Sequence, residues 1–184
     1  MKNEWSTIEI LSHARHDWLN KLQLIKGNLA LNKTERVKEI IEEIVVEAQQ
    51  EANLSNLKIP QFAALLLTYN WESHSFQLEF EVLNEIKCVD LDDQALTDWT
   101  SSFFAVLHTA VEAFGDNHLS VSIQIQESGV RFFFDFSGII KDIERLQTFL
   151  DVNQHKLLTI KVLEFSQQEL ALEVFLSFKN KDGK

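Results

Sequence analysis

The chain has 184 residues, 45% of them hydrophobic, which is enough for one medium domain or two small ones and excludes a disordered protein. Its net charge of −11 would repel phosphate backbones, so we expect no nucleic-acid partner. The longest apolar run, residues 62–67, is too short to span a membrane, and no signal sequence follows Met1, so we expect a soluble, cytoplasmic protein. The single cysteine, Cys88, excludes an intramolecular disulfide and is predicted to be a packing residue.

The first predicted element is a long helix over residues 6–31, with Ser6 or Thr7 as its cap. Its larger side chains recur in alternating steps of three and four residues, which is the pattern of a helix bundle. These positions are Ile8, Leu11, Arg15, Trp18, Leu22, Ile25 and Leu29. Gly27 weakens this helix without ending it.

A second helix is predicted over residues 34–55, after the polar connection Asn32–Thr34, with Thr34 as its cap. Its apolar seam consists of Val37, Ile40, Ile41, Ile44, Val45 and Ala48. Because the connection is short, the two helices should form an antiparallel hairpin, residues 1–57. Such a hairpin has too little core, and a homodimeric four-helix bundle would supply it. The alternative is that the hairpin packs on the C-terminal part of its own chain.

The helical pattern is lost before Pro60, so residues 61–184 are predicted to form a second domain. Its element order is predicted as α-β-α-β-β-α-β-β. The helices are expected at 61–71, from Asp92 or Asp93 to Phe114, and at 141–150; the strands are expected around 76–82, 119–125, 132–136, 157–165 and 169–178. This order predicts an α+β fold, with a sheet that carries its helices on one face.

His16 is the most informative residue of the first helix. Asp17 follows it directly and Asn20 lies one helical turn further on. On a helix wheel His16 lies about 120° from the centre of the apolar seam, so it should be exposed. An exposed imidazole is mostly neutral near pH 7 and can accept a phosphoryl group, while Asp17 can hold the proton on its other nitrogen. The alternative is an ordinary surface histidine, which is also how we interpret His13.

The first helix and its connection are basic within an acidic protein. From Ser12 to Lys33 the only acidic residue is Asp17, against four basic residues, Arg15, Lys21, Lys26 and Lys33. This distribution is either chance variation or a surface that attracts an acidic partner or a phosphoryl group. A partner that docks beside His16 is predicted to use Leu19, Gln23, Arg15 and Lys26.

The run from Ser12 to Leu29, SHARHDWLNKLQLIKGNL, resembles the phosphoacceptor helix of the sporulation initiation phosphotransferase B family. Its Arg-His-Asp core also resembles sensor kinases of the citrate and fumarate type. The resemblance implies a dimeric four-helix bundle joined to an α/β sandwich that resembles a degenerate histidine-kinase ATPase domain. It further implies relay of phosphoryl groups between two response regulators, with His16 as the phosphorylated residue and Arg15, Asp17, Asn20 and Gln23 around it.

The C-terminal domain lacks the motifs by which a histidine kinase holds ATP. None of the five glycines lies in a G-x-G arrangement, although such loops let backbone amides approach phosphates. Glu112-Ala113 stands where a magnesium-binding asparagine is expected, and residues 135–139, DFSGI, lack both glycines of a D-x-G-x-G loop. We therefore predict a phosphotransferase without kinase activity, with no cofactor or metal of its own, and with Mg²⁺ held by the partner response regulator.

Two alternatives to this function remain at the level of sequence. A dimeric scaffold could bind a response regulator or a kinase without carrying phosphate. A kinase with an unusual ATP site is the third possibility, which tight binding of Mg-ATP would reveal.

Overall fold

The computed structural model describes residues 5–83, 90–152 and 156–179. Cys88 lies outside the described residues, so its predicted packing role has no structural counterpart here. The chain divides into two compact units, Met1–Gln49 and Gln50–Lys184. The family-implied bundle and the boundary between residues 57 and 61 stay predictions.

The first unit contains helix α1 (Thr7–Ala30) and most of helix α2 (Thr34–Asn56). Ser6 caps α1 through a capping box: its hydroxyl accepts from the Glu9 N–H, and the Glu9 carboxylate accepts from the Ser6 N–H at 2.8 Å. A turn with Asn32 at φ 57° joins the helices. Helix α2 includes Thr34, and the Val37 N–H donates to the Lys33 carbonyl, so the cap lies at Lys33 rather than at Thr34 as predicted.

The second unit is built around a five-stranded sheet. Its strands are β1 (Gln77–Val82), β2 (His118–Ile125), β3 (Gly129–Ser137), β4 (Leu158–Phe165) and β5 (Glu169–Ser177). They lie in the order β1-β2-β3-β5-β4, with β1 and β2 parallel and every other pair antiparallel. Strand β4 is irregular between Val162 and Glu164, at the open edge of the sheet.

Helices α3 (Pro60–Thr68), α4 (Asp93–Ala110) and α5 (Ile143–Val152) supply the cover for this sheet, and a 3₁₀ helix (Tyr69–Trp71) follows α3. Alternate residues of the central strands are buried, as expected when only one face of a sheet is covered. Phe132 contacts Phe62 of α3 at 5.2 Å between ring centroids, and Phe134 contacts Phe103 of α4 at 5.7 Å. The predicted α+β fold, with a helical N-terminal region followed by a helix-covered sheet, is confirmed.

Helix α4 is capped by Asp92, whose carboxylate accepts from the Ala95 N–H at 3.0 Å, and it ends at Ala110. The prediction that it continues to Phe114 was wrong. Val111 is extended and pairs with Ile140, and the Glu112 N–H donates to the Ile139 carbonyl at 2.9 Å. The chain therefore leaves the helix to make sheet-like hydrogen bonds, which an apolar sequence pattern does not reveal.

Candidate functional site

His16 projects into solvent from the middle of α1. Its side chain is 73% exposed, and its two contacts in the described part of the chain are both made by Nδ1. Nδ1 lies 3.2 Å from the amide nitrogen of Asn20, one turn along the helix, and 3.8 Å from a carboxylate oxygen of Asp17. The predicted neighbours Asp17 and Asn20 are thus brought to one nitrogen of the ring, and Nε2 is left to meet a partner.

The groups that face Nδ1 determine which of the two ring nitrogens of His16 carries the proton. If the Asn20 amide N–H donates to Nδ1, the proton of the neutral ring is on Nε2. If the amide is turned over, its oxygen accepts from Nδ1–H, and the lone pair is on Nε2. The nearby Asp17 carboxylate favours the second form, because it attracts the proton on Nδ1. The site can therefore present Nε2 as a nucleophile.

The other predicted site residues surround His16 along the helix without contacting it. Arg15, Leu19, Gln23 and Lys26 are exposed. Residues three, four and seven positions apart lie on adjoining parts of a helix surface, so Leu19 and Gln23 extend the face of His16. Arg15 lies about 100° round the helix from His16, toward the apolar seam.

His13 differs from His16 in its surroundings. The indole of Trp5 packs edge-on against the His13 ring, with 4.7 Å between centroids, and His13 is half-buried. Hydrogen bonds from Ser6, with a smaller electrostatic contribution from His13, lower the pKa of the Glu9 carboxyl. This packing supports a structural role for His13. The sequence did not predict it, because the only indication was an aromatic residue, Trp5, just before the helix.

A second contact that the sequence did not reveal involves Lys21. Its ammonium lies 2.7 Å from the Glu47 carboxylate of α2 and 5.6 Å from the centroid of the Trp18 ring. Lys21 therefore links the two helices instead of adding a free positive charge beside His16. The basic residues left for a partner near His16 are Arg15 and Lys26.

Asn117, just before β2, ties together the segments that precede β1, follow α4 and follow β3. Buried Asn117 donates to the Ser75 and Glu112 carbonyls at 2.8 and 2.7 Å, and its oxygen accepts from the Ile139 N–H at 2.9 Å. A Cβ on Gly138 would lie 2.2 Å from this oxygen, so the glycine serves close packing. No pattern in the sequence distinguished Asn117 from a turn asparagine.

Glu112 stands where a kinase would be expected to have a magnesium-binding asparagine, and it forms an ion pair. Its carboxylate binds the ammonium of Lys141 at 2.6 Å. Asp135 of β3 is exposed on the opposite side of the strand from the buried Phe134 and Phe136. In the described structure, therefore, Glu112 forms a salt bridge and Asp135 is exposed to solvent.

Histidines of the C-terminal domain form a small cluster at the end of α4. His108 Nδ1 accepts from the Ser75 N–H at 3.1 Å, and the His74 ring packs edge-on to His108 and stacks on Tyr69. Burial, followed by the proximity of His108, lowers the pKa of His74. Within the described residues, no three His, Cys, Asp or Glu side chains are placed to hold a metal ion.

Residues 1–57 match a family described as sensor kinase SpoOB-type, alpha-helical domain, and residues 58–177 match sporulation initiation phospho-transferase B, C-terminal. A curated relative, sporulation initiation phosphotransferase B of Bacillus subtilis (strain 168), is 41% identical over 173 residues. The match covers 92% of this chain and 88% of the relative. The chain belongs to the sporulation initiation phosphotransferase B family. It is accordingly a phosphotransferase of the two-component signalling class.

Two solved structures are similar to this family member at low identity. The catalytic domain of histidine kinase ThkA has a TM-score of 0.46 at 14% identity, covering 68% of this chain and 92% of that chain. A bacterial phosphotransferase has a TM-score of 0.39 at 10% identity, covering 92% of this chain and 97% of that chain. Among the described residues of this chain, no helix is long and apolar enough to cross a membrane.

Proposed function

We propose that this phosphotransferase carries the phosphoryl group on His16 and relays it between the aspartates of two response regulators. The observation that supports this role is the exposed imidazole whose Nδ1 faces Asp17 and Asn20, since that arrangement leaves Nε2 open to a partner. Family membership supports the reaction class and response regulators as the class of partner. A cytoplasmic location stays a prediction.

The proposed transfer conserves atoms and charge in both directions. The lone pair of His16 Nε2 attacks the phosphorus of an aspartyl phosphate, the N–P bond forms, and the P–O bond to the aspartate breaks, which releases a carboxylate. The second regulator reverses these steps, with its own carboxylate as the nucleophile. The proton on Nδ1 stays in place throughout, facing Asp17 and Asn20.

The other predicted site residues would orient the regulator and offset charge. Arg15 and Lys26 supply positive charge near a phosphoryl group and near the acidic site of a regulator, while Leu19 and Gln23 provide contact surface. The regulator itself would hold the Mg²⁺ that screens the phosphoryl oxygens, because such sites are built from carboxylates. We assign no cofactor to this chain.

We further propose that two copies form a four-helix bundle through the hairpin. Part of the exposed apolar surface forms a stripe along one side of each helix: Leu11, Trp18, Leu22 and Leu29 on α1, and Ile41 and Val45 on α2. A single hairpin leaves this stripe in water, and a second copy would bury it. In this proposal residues 61–184 have a structural role and bind no nucleotide.

The test is transfer without ATP from a sporulation-phosphorelay response regulator that carries radiolabelled aspartyl phosphate. We expect acid-labile, base-stable label on the wild type and no label on His16→Gln, which is close in size but has no nucleophile. His13→Gln is the matched control and should retain most of the transfer. Complete loss of label with His13→Gln, and its retention with His16→Gln, would move the assignment to His13.

The scaffold alternative gives a different result in the same experiment. A scaffold would bind the regulator without label in either protein, which is measured by pull-down or titration alongside the transfer assay. Tight binding of Mg-ATP by the full chain would instead favour the kinase alternative.

A further inference from the structure

The two edges of the sheet differ in how their outward backbone groups are satisfied. At the β1 edge the side-chain amide of Asn70 donates to the Leu78 carbonyl at 2.7 Å and accepts from the Leu78 N–H at 3.0 Å. The side-chain oxygen of Gln50 accepts from the Val82 N–H at 2.7 Å. These amides occupy positions that an added strand would need, so the β1 edge is closed to one.

The β4 edge is open by comparison. β4 pairs with β5 alone, and no side chain among the described residues hydrogen-bonds to its backbone. Val162 lies opposite buried Leu172, on the helix-covered face, yet it is 42% exposed, and the neighbouring Leu163 is 47% exposed. An edge strand with free backbone groups and exposed apolar side chains is a template for a further strand.

The irregularity of β4 places a basic and an acidic side chain on the same face of the sheet. Lys161 lies opposite Glu173, and Glu164 lies opposite Ala171, two residues further along β5. Leu163 is therefore an extra residue, a bulge, between them. Both charged side chains are exposed, and neither forms an ion pair within the described part of the chain.

A second copy of β4 fits this edge in one antiparallel register. With a two-fold axis between Val162 and Leu163, Lys161 of each copy lies opposite Glu164 of the other. Opposed residues of antiparallel strands point to the same face, whereas residues three apart on a regular strand point to opposite faces. The extra residue is what makes this register possible. An axis at Lys161 or at Glu164 would oppose like charges instead.

We propose that the β4 edge is a surface for a second copy of this chain, whose own β4 extends the sheet to ten strands through two Lys161–Glu164 pairs. A lysine and a bulge at an edge ordinarily deter added strands. Here they admit a second copy, because its lysine, glutamate and extra residue match those of the first. The inference is independent of the phosphoryl transfer and of the four-helix bundle proposed above.

Charge reversal at the two positions tests this register, with sedimentation velocity of the full chain over rising protein concentration as the measurement. Lys161→Glu or Glu164→Lys alone should weaken the edge contact about tenfold, because two pairs of like charges then face each other. The double variant restores both opposite pairs and should associate like the wild type. If hairpins already join two chains, the edge contact is seen as association beyond that dimer.

An equimolar mixture of the two single variants is the sharpest arm of the experiment. Each chain then supplies the charges that the other lacks, so the mixture should associate although neither variant does so alone. Arg145→Glu makes the same change in net charge on exposed α5 and is the matched control, which should leave association unchanged. This control separates the paired charges from a general effect of net charge.

Two outcomes would overturn the proposal. Association of the wild type that Lys161→Glu leaves unchanged would belong to another surface, such as the hairpin. A wild type that shows no association beyond a contact insensitive to these charges, at the highest concentration reached, would mean that the lysine and the bulge only protect the edge. Weakening by each single reversal, with recovery in the double variant and in the mixture, would support the edge contact.

Discussion

Helices α1 and α4 have opposite relations to water within the same chain. Helix α1 has 24 residues and none of them is buried, whereas α4 has 18 residues and nine of them are buried. Both helices carry large apolar side chains. The difference shows that α4 is buried by its own domain, while α1 leaves its apolar side chains at least partly exposed.

This contrast agrees with a division of labour. If His16 carries phosphoryl groups between two regulators, as proposed, its side chain has to stay accessible on α1. In the C-terminal domain, by contrast, aromatic residues form part of the core, and Phe134 and Phe136 are fully buried there. Buried Asn117 adds polar ties to this domain through its hydrogen bonds with Ser75, Glu112 and Ile139.

The largest effect is expected from opening that core. Phe134 is fully buried against Trp99 and Phe103, so Phe134→Ala should lower the free energy of unfolding by about 3–5 kcal/mol, through lost apolar burial and a cavity. Urea denaturation followed by tryptophan fluorescence measures this change. The partly exposed Phe133 on the opposite face is the control, and Phe133→Ala should cost clearly less. Equal losses would mean that both faces of the sheet are covered.

The order of the helices and strands could be predicted because each element has its own local pattern of apolar residues. Alternation over Leu119–Ile125 reflects one buried face, and the heptad steps of α1 reflect one apolar face. Each pattern is visible within its own segment. The end of α4 and the role of Asn117 could not be predicted. Both depend on hydrogen bonds between segments far apart in sequence, Glu112 with Ile139 and Asn117 with Ser75.

The candidate site shows the same limit. His16, Asp17 and Asn20 lie within one helical turn, so their proximity follows from their spacing alone. The ion pair of Lys21 with Glu47 and the packing of Trp5 on His13 were missed because each needs the path of another segment. Gly27 was noted as a weak point in the helix. That a Cβ at this position would have open space became visible only in the structure.

The next effect concerns the exposed stripe of the hairpin. Leu22 is 55% exposed in the single chain, so Leu22→Ala should change the free energy of unfolding by less than about 0.5 kcal/mol if the chain is monomeric. In a bundle of two copies the same change should cost about 2–3 kcal/mol per protomer and should weaken association. Sedimentation velocity and denaturation at several protein concentrations measure both quantities.

Val46, exposed on α2 away from the stripe, offers the control for this experiment. Val46→Ala should leave association and stability unchanged within about 0.5 kcal/mol. If Leu22→Ala is as mild as Val46→Ala, and the stability of the wild type does not depend on its concentration, the hairpin does not dimerise through this stripe. Docking of a regulator would then remain as the explanation for the exposed apolar surface of α1.

The smallest effect is a pH dependence confined to the C-terminal domain. Burial, and then the nearby His108, lower the pKa of folded His74 from its ordinary value of 6.5. Above that value His74 is neutral in both states and does not alter stability. As the pH falls below it, the unfolded chain takes up a proton that the folded chain resists, so the free energy of unfolding decreases. Urea denaturation between pH 7.5 and 5 should therefore show a shallower decline for His74→Gln than for the wild type, and parallel curves would place His74 in a solvent-like environment. The same comparison made on phosphotransfer should show no difference, because His74 lies half-buried in the C-terminal domain and the reaction is proposed to occur on exposed α1.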